Sequence, residues 1–313
     1  MTIQNRPYSA GHFELEIDGH KTTTYLKSVD GGWAKANVTD DPHGATSDRV
    51  KQLATVEYEP ITIEFGLSGA AKLLKWVQGS WNRQWDRRSG QINHADFNLK
   101  TTFEHWFYDA LIVETTFPTL DGSSKDPGYI KCKIQPERAN LVQSPAPTTL
   151  DQRSTGSGKQ RMWTPSAFRF TLDQVDGMEY TNKIESFTIK QGVKKLYVGA
   201  ERFPQLSPTK VEFPNLSGTI ALAHAGKLLK WHDDYISKIA NGRRDPASQL
   251  SGAIEFLSPD RASTVFRIVL SEVGLTSATI QQSTANTDQL KRVKFDMFIG
   301  KMELDGAGAL GLD

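Results

Sequence analysis

Three blocks of this chain recur at one fixed spacing, and that repeat constrains the fold more than any other feature. Phe13-Glu14-Leu15-Glu16-Ile17-Asp18 has a counterpart in Phe168-Arg169-Phe170-Thr171-Leu172-Asp173, 155 residues later. Val56-Glu57-Tyr58-Glu59-Pro60 matches Val211-Glu212-Phe213-Pro214 at the same 155, and Lys72-Leu73-Leu74-Lys75-Trp76 returns unchanged as Lys227-Leu228-Leu229-Lys230-Trp231. Collinear blocks without an intervening gap are the signature of a duplicated structural unit. The 313 residues are also long for one ordinary domain. Two copies of one domain are expected, over about 9–142 and 164–304. Between them, 143–163 is rich in Pro, Ser, Thr and Gly, has no hydrophobic period and reads as a linker. The Gly/Ala-rich end, 305–313, reads as a flexible tail.

Within each copy, period-two alternation marks strands at Phe13/Leu15/Ile17, Ile61/Ile63/Phe65 and Ile130/Cys132/Ile134, then at Phe168/Phe170/Leu172 and Val293/Phe295/Met297. Val265 to Leu270 forms a more continuous apolar strand. Ala70, Leu73, Leu74, Val77 and Trp81 fall at helical spacing, as do Ala225, Leu228, Leu229, Ile236 and Ile239. The predicted class is mainly β, a barrel-like or sandwich-like sheet with one helix per domain. So small a sheet leaves strand edges that must be paired, charged or covered. Pairing between neighbouring domains around a closed ring would remove them.

Charge and motifs narrow the function. Lys and Arg number 37 against 36 Asp and Glu, a net charge of +1, so electrostatics alone gathers neither nucleic acid nor an anionic bilayer. Apolar runs fall short of a membrane span and no signal-like segment follows the N-terminus, so cytoplasmic synthesis is expected. The single cysteine, Cys132, excludes an intrachain disulfide and a multi-cysteine zinc site; its place on an alternating strand makes it a core thiol. Gly156-Ser157-Gly158-Lys159 lacks the first Gly and the final Ser/Thr of a phosphate-binding loop. The histidines at 12, 20, 43, 94, 105, 224 and 232 show no metal-ligand spacing, and His232-Asp233-Asp234 reads as a solvated helix side. No constellation of nucleophile, base and orienter is present, so no enzyme activity and no cofactor are expected. Trp81, Arg83, Trp85, Arg87 and Arg88 mix aromatic and basic character after the first helix, and Arg243 and Arg244 hold a similar place after the second. These residues, with Trp106 in the aromatic run His105-Trp106-Phe107-Tyr108, are candidate intersubunit contacts. An alternative is an oligomeric binding module that stacks single-stranded nucleic acid on the 81–88 region.

In this order the pieces resemble the phage tail tube protein family of contractile tails and bacterial injection systems. The likeness rests on Phe13 to Gly19 as opening strand and turn, the Lys72 to Trp76 helix, His105-Trp106 to Ala110, and Phe117-Pro118-Thr119-Leu120. The second copy departs more, with Gln174-Val175-Asp176-Gly177 at the opening turn. The resemblance implies a structural, non-enzymatic role in six-domain rings that stack into a hollow tube, docked ring to ring by loops between early strands. By matching position these loops are 38–55, with Asp40, Asp41, His43, Arg49 and Lys51, and 193–210, with Leu196, Tyr197 and Phe203. Family tubes carry one such domain per chain. Two per chain let three chains build a ring of six, the arrangement preferred over six chains forming two stacked rings, and one suited to the junction between a threefold spike and a sixfold tube. The expected partners are further copies of the chain and the tube, spike and baseplate proteins of the same particle, with nucleic acid only as cargo in the bore.

Overall fold

The computed structural model describes residues 11–22, 24–42, 49–67, 69–143, 148–150, 163–200, 203–237, 249–282 and 290–305. Strands dominate, as the alternation predicts. The first half runs β1 (His12–Ile17), β2 (His20–Lys21), β3 (Leu26–Gly31), β4 (Ala34–Pro42), β5 (Arg49–Tyr58), β6 (Ile61–Phe65), α1 (Ala71–Trp81), β7 (Arg88–Ala95), β8 (Thr101–Phe117), β9 (Leu120–Asp121), β10 (Ile130–Gln135) and β11 (Arg138–Gln143). The second runs β12 (Phe168–Leu172), β13 (Thr181–Ile184), β14 (Phe187–Leu196), β15 (Gln205–Glu212), β16 (Leu216–Ala221), α2 (Gly226–His232), β17 (Leu250–Leu257), β18 (Thr264–Ile280) and β19 (Arg292–Asp305).

Pairing follows the same scheme in both halves. The first is ordered β1-β7-β8-β10-β6-β3 and the second β12-β17-β18-β19-β16-β13. Ile61 lies opposite Ile134 and, 155 residues on from Ile61, Leu216 lies opposite Met297. The hairpins agree down to an irregularity: Ala36 faces Val56 and Val38 faces Leu53 across a bulge, while Gln191 faces Val211 and Val193 faces Pro208 across another. The extra residue thus falls at the same point of β5 and of β15. One difference has a clear cause. β19 is a single strand, whereas its counterpart breaks into β10 and β11 at Pro136, which has no N–H to give a ladder.

Alternation decides which side of each strand is buried. In β10, Ile130, Cys132 and Ile134 are fully buried and Lys131 is exposed. Burial pushes the Cys132 thiol up to about 12, which keeps it a neutral core group. α1 lays Leu73, Leu74, Val77 and Trp81 on the core, and Trp76 is buried too, its indole N–H donating to the Asp86 carbonyl at 2.8 Å. The helix stops at Arg83, which takes a left-handed φ of 61° and donates to the Ser80 carbonyl at 3.1 Å. α2 is shorter, continues as a π turn over Asp233–Ser237, and keeps Leu229 and Trp231 only partly buried; Ile239 lies outside the described residues.

One continuous apolar core runs through both halves. At its centre Phe117 stacks on Phe187 at 5.1 Å and lies 5.7 Å from Phe256, 6.3 Å from Phe266 and 6.1 Å from Trp81. The described parts of 143–163 are held as well. Leu150 is buried beside Leu99, donating its N–H to that carbonyl at 2.8 Å, and Trp163 packs against Gly128, where any side chain would strike the indole ring. Residues 151–162, with Gly156 to Lys159, and the tail beyond 305 lie outside the described residues.

Candidate assembly interface

The two halves of the chain share a core, and the surface along which they meet is a strand seam. The first part of β8 lies between β7 and β11, but at Ala110 the pairing with β7 ends. The second part keeps β10 on one side and takes β14 of the other half on the other, with Phe117 opposite Phe187, Thr116 opposite Thr188, Thr115 opposite Ile189 and Glu114 opposite Lys190. β9 extends the junction by pairing with β13, Leu120 against Ile184. Backbone groups that would otherwise form an open edge are thus satisfied by the second half.

Side chains fasten the seam on both faces. On the polar face the hydroxyls of Thr116 and Thr188 are 2.9 Å apart, and on the apolar face the Phe117–Phe187 stack closes it. Behind it, Ser80 donates to the Gln191 side-chain carbonyl at 2.5 Å, and Gln78 donates to the Leu304 carbonyl at 2.8 Å. Arg87 donates to the Leu206 carbonyl, while the Leu206 N–H donates to Glu137 Oε1 at 2.8 Å. At the hairpins, Glu57 accepts from Tyr197 at 2.7 Å and pairs with Lys195 at 2.7 Å, and Tyr58 lies 5.7 Å from the Phe203 ring. Hydrogen bonds from Lys195 and Tyr197 hold the Glu57 carboxyl below its ordinary range.

The residues singled out from sequence fall into distinct places. Asp40 and Asp41 lie in β4, Arg49 and Lys51 in β5, with Arg49 3.8 Å from Asp40; His43 lies outside the described residues. Leu196 ends β14 and is exposed, as is Tyr197. Trp81 is buried in α1 beside Phe117. Arg83 and Trp85 are exposed with positive φ, Arg88 is bound to Asp18 at 2.7 Å and Asp86 at 3.1 Å, and Arg87 joins the two halves. Trp106 is half-buried and donates to Glu104 at 3.1 Å. Arg243 and Arg244 lie outside the described residues. Sequence reasoning missed Thr116, Thr188, Glu137 and Gln191, whose roles depend on pairing between distant strands. A usable signal was the alternation Phe187-Thr188-Ile189-Lys190.

Beyond the seam, among the described residues, β4 pairs only with β5, and residues 274–280 of β18 pair only with β19. β3, from which the chain leads on into β4, and β18 stand at opposite ends of the run β3-β6-β10-β8 and β13-β16-β19-β18, while β4 and β5 form a two-stranded sheet of their own. The face of the run opposite the core is polar. Thr62, Glu114, Thr116, Lys131 and Lys133 line a shallow cleft there, with Lys133 2.8 Å from Glu114. His94, packed on Phe103 at 4.1 Å, is pushed down to about 4 chiefly by burial and is neutral near pH 7.

Comparison with known proteins places the first half. Residues 9–139 match the family model described as T4-like virus tail tube protein gp19. Among solved structures, a chain of the PVC sheath-tube complex, an extracellular contractile injection system in its extended state, is 16% identical over 45% of this chain and 94% of its own, with a TM-score of 0.40. A chain of the anti-feeding prophage tube-terminating cap is 12% identical over 46% of this chain and 95% of its own, TM-score 0.38. Hcp1 from Flavobacterium johnsoniae is 10% identical over 45% and 95%, TM-score 0.27. No curated protein sequence matches.

Proposed function

We propose, from the premise that residues 9–139 carry a tail tube domain of the T4-like virus family, that the whole chain is a two-module structural subunit of a phage-like contractile tail or injection system. In this reading residues 164–304 are a second tube-like module, and the matching strand order and registers of the two halves support it. Three chains close a ring of six modules, at the tube or at its junction with a threefold spike. The observation that supports this reading is the β8–β14 seam, through which strands of the second half join the sheet of the first, an arrangement suited to modules side by side. Two stacked rings would need the modules one above the other. Side-by-side modules leave each chain one open edge of each kind, the condition for head-to-tail closure.

In such a ring the polar face with Thr116, Lys131 and Lys133 lines the bore, and the hairpins β4–β5 and β14–β15 reach the adjacent rings. Their exposed groups differ, Val50 and Leu53 on one and Leu196 and Tyr197 on the other, so the two modules meet different neighbours. The nucleic-acid alternative loses one of its two tryptophans, since Trp81 is buried while Trp85 stays exposed, and Arg87 and Arg88 are engaged within the chain. Electron microscopy of the purified protein tests the reading. Rings or tube segments with a central hole are expected; dispersed monomers at high concentration would contradict it.

A further inference from the structure

We infer that the chain-to-chain seam reproduces the seam inside the chain, with 32–35 of one chain pairing antiparallel with 277–280 of the next. The inference rests on the ring reading above and adds to it a partner, a pair of strands and a register. The second part of β8 already has an occupant on its open side. That occupant is 187–190, and the segment 155 residues before it is 32–35. Both segments lead into hairpins with the same pairing and the same bulge. The edge they cover has a counterpart as well. Lys131 faces Thr116 across β10 and β8, and Lys294 faces Thr279 across β19 and β18. Thr279 therefore stands where Thr116 stands, and 277–280 where 114–117 stand.

Transferring the observed pairing gives Ser277 opposite Lys35, Ala278 opposite Ala34, Thr279 opposite Trp33 and Ile280 opposite Gly32. Both edges carry apolar side chains in water, Ile280 at 56% and Trp33 at 50% exposure. Exposed apolar groups on an unpaired strand are what folded proteins otherwise avoid, by pairing, charge or cover. Within a single chain the two segments do not pair: 32–35 follows β3 and 277–280 belongs to β18, the strands at the two ends of the run, and each is hydrogen-bonded on one side, to β5 and to β19. A second copy supplies each with its complement.

The two seams are not equal in strength. Inside the chain the place of Ile280 is held by Phe117, stacked on Phe187. Between chains the place of Phe187 falls to Gly32, whose φ of +81° and close approach to the His105 ring exclude a side chain. The chain-to-chain seam therefore lacks the aromatic stack, and dilution separates chains before it separates modules.

Disulfide trapping tests the register in the full-length protein. Thr116 and Thr188 hold their hydroxyls 2.9 Å apart, so Thr116→Cys with Thr188→Cys is the positive control and forms a bond within one chain. Trp33→Cys and Thr279→Cys, in separate chains, should give a covalent dimer on mixing and oxidation, roughly tenfold more than either variant alone. Combined in one chain, they should give a ladder ending at three chains. Ser277→Cys in place of Thr279→Cys moves the thiol two residues along the strand, and the yield should fall toward background. Buried Cys132 stays out of the exchange. Rings seen by microscopy without the 33–279 bond, while the control bond forms, would overturn the seam and leave the ring reading intact. Absence of rings with the control bond formed would overturn the ring reading itself.

Discussion

Phe117→Ala is expected to destabilise the chain by about 3–5 kcal/mol, the range for an aromatic side chain removed from a packed core, and to split one unfolding transition into two. Phe117 is fully buried and touches rings from both halves, Trp81 on one side and Phe187, Phe256 and Phe266 on the other. Deleting it opens a cavity where the two sets of strands share their core, while leaving the Leu73 and Phe295 regions of each half intact. Cooperativity between modules depends on that shared contact, so its loss uncouples them. Scanning calorimetry reads the outcome. A single transition shifted down without broadening would show that the halves are coupled elsewhere.

A second large effect is expected at the β4–β5 hairpin. Val50→Asp with Leu53→Asp should abolish ring stacking, with at least a tenfold loss of tubes seen by microscopy, and leave circular dichroism and single rings unchanged. Leu53 is 76% exposed and Val50 42%, so neither supports the core, and surface changes of this kind cost the fold within about 0.5 kcal/mol. Charge placed in an apolar docking contact must be desolvated without a partner, which opposes association. Stacked tubes of normal length in the double variant would remove the docking role of this hairpin. Soluble protein lacking both rings and tubes would move the hairpin into the ring seam.

Much of the architecture is legible in the sequence because burial and period coincide. Ile61, Ile63 and Phe65 alternate on β6, and Leu73, Leu74, Val77 and Trp81 recur at helical spacing on α1, each pattern matching one buried face. The same phase explains Trp81. Read as a contact aromatic beside Arg83 and Trp85, it lies on the buried side of α1, one turn beyond Val77. The hairpins are harder to read as strands. β5 is exposed over most of its length, so no apolar alternation marks it, and only the ladder itself reveals it. The seam is harder still. Phe117 and Phe187 are far apart in the chain, and nothing local says that Thr116 and Thr188 share a hydrogen bond. The linker region shows the converse: Leu150 and Trp163 sit in a segment of loop composition yet are buried by contacts with Leu99 and Gly128.

Arg88 illustrates how electrostatics sorts candidates that composition leaves together. Its guanidinium is raised in pKa chiefly by its hydrogen bond to Asp18, a contact between β7 and the turn after β1. Arg87, one residue earlier, points to the Leu206 carbonyl and Glu137 instead. Adjacent residues on an extended segment project to opposite sides, so Arg88 ties strands of the first half together while Arg87 also reaches the second half.

Mass measurement of the intact assembly under native conditions tests the central claim most directly, because it counts chains without reference to any residue. In the Val50→Asp/Leu53→Asp variant, whose rings do not stack, three times the chain mass of 34.8 kDa, with no population at six, is the result expected of side-by-side modules closing one ring. A dominant species of six chains, or a stable monomer at assembly concentration, would contradict it.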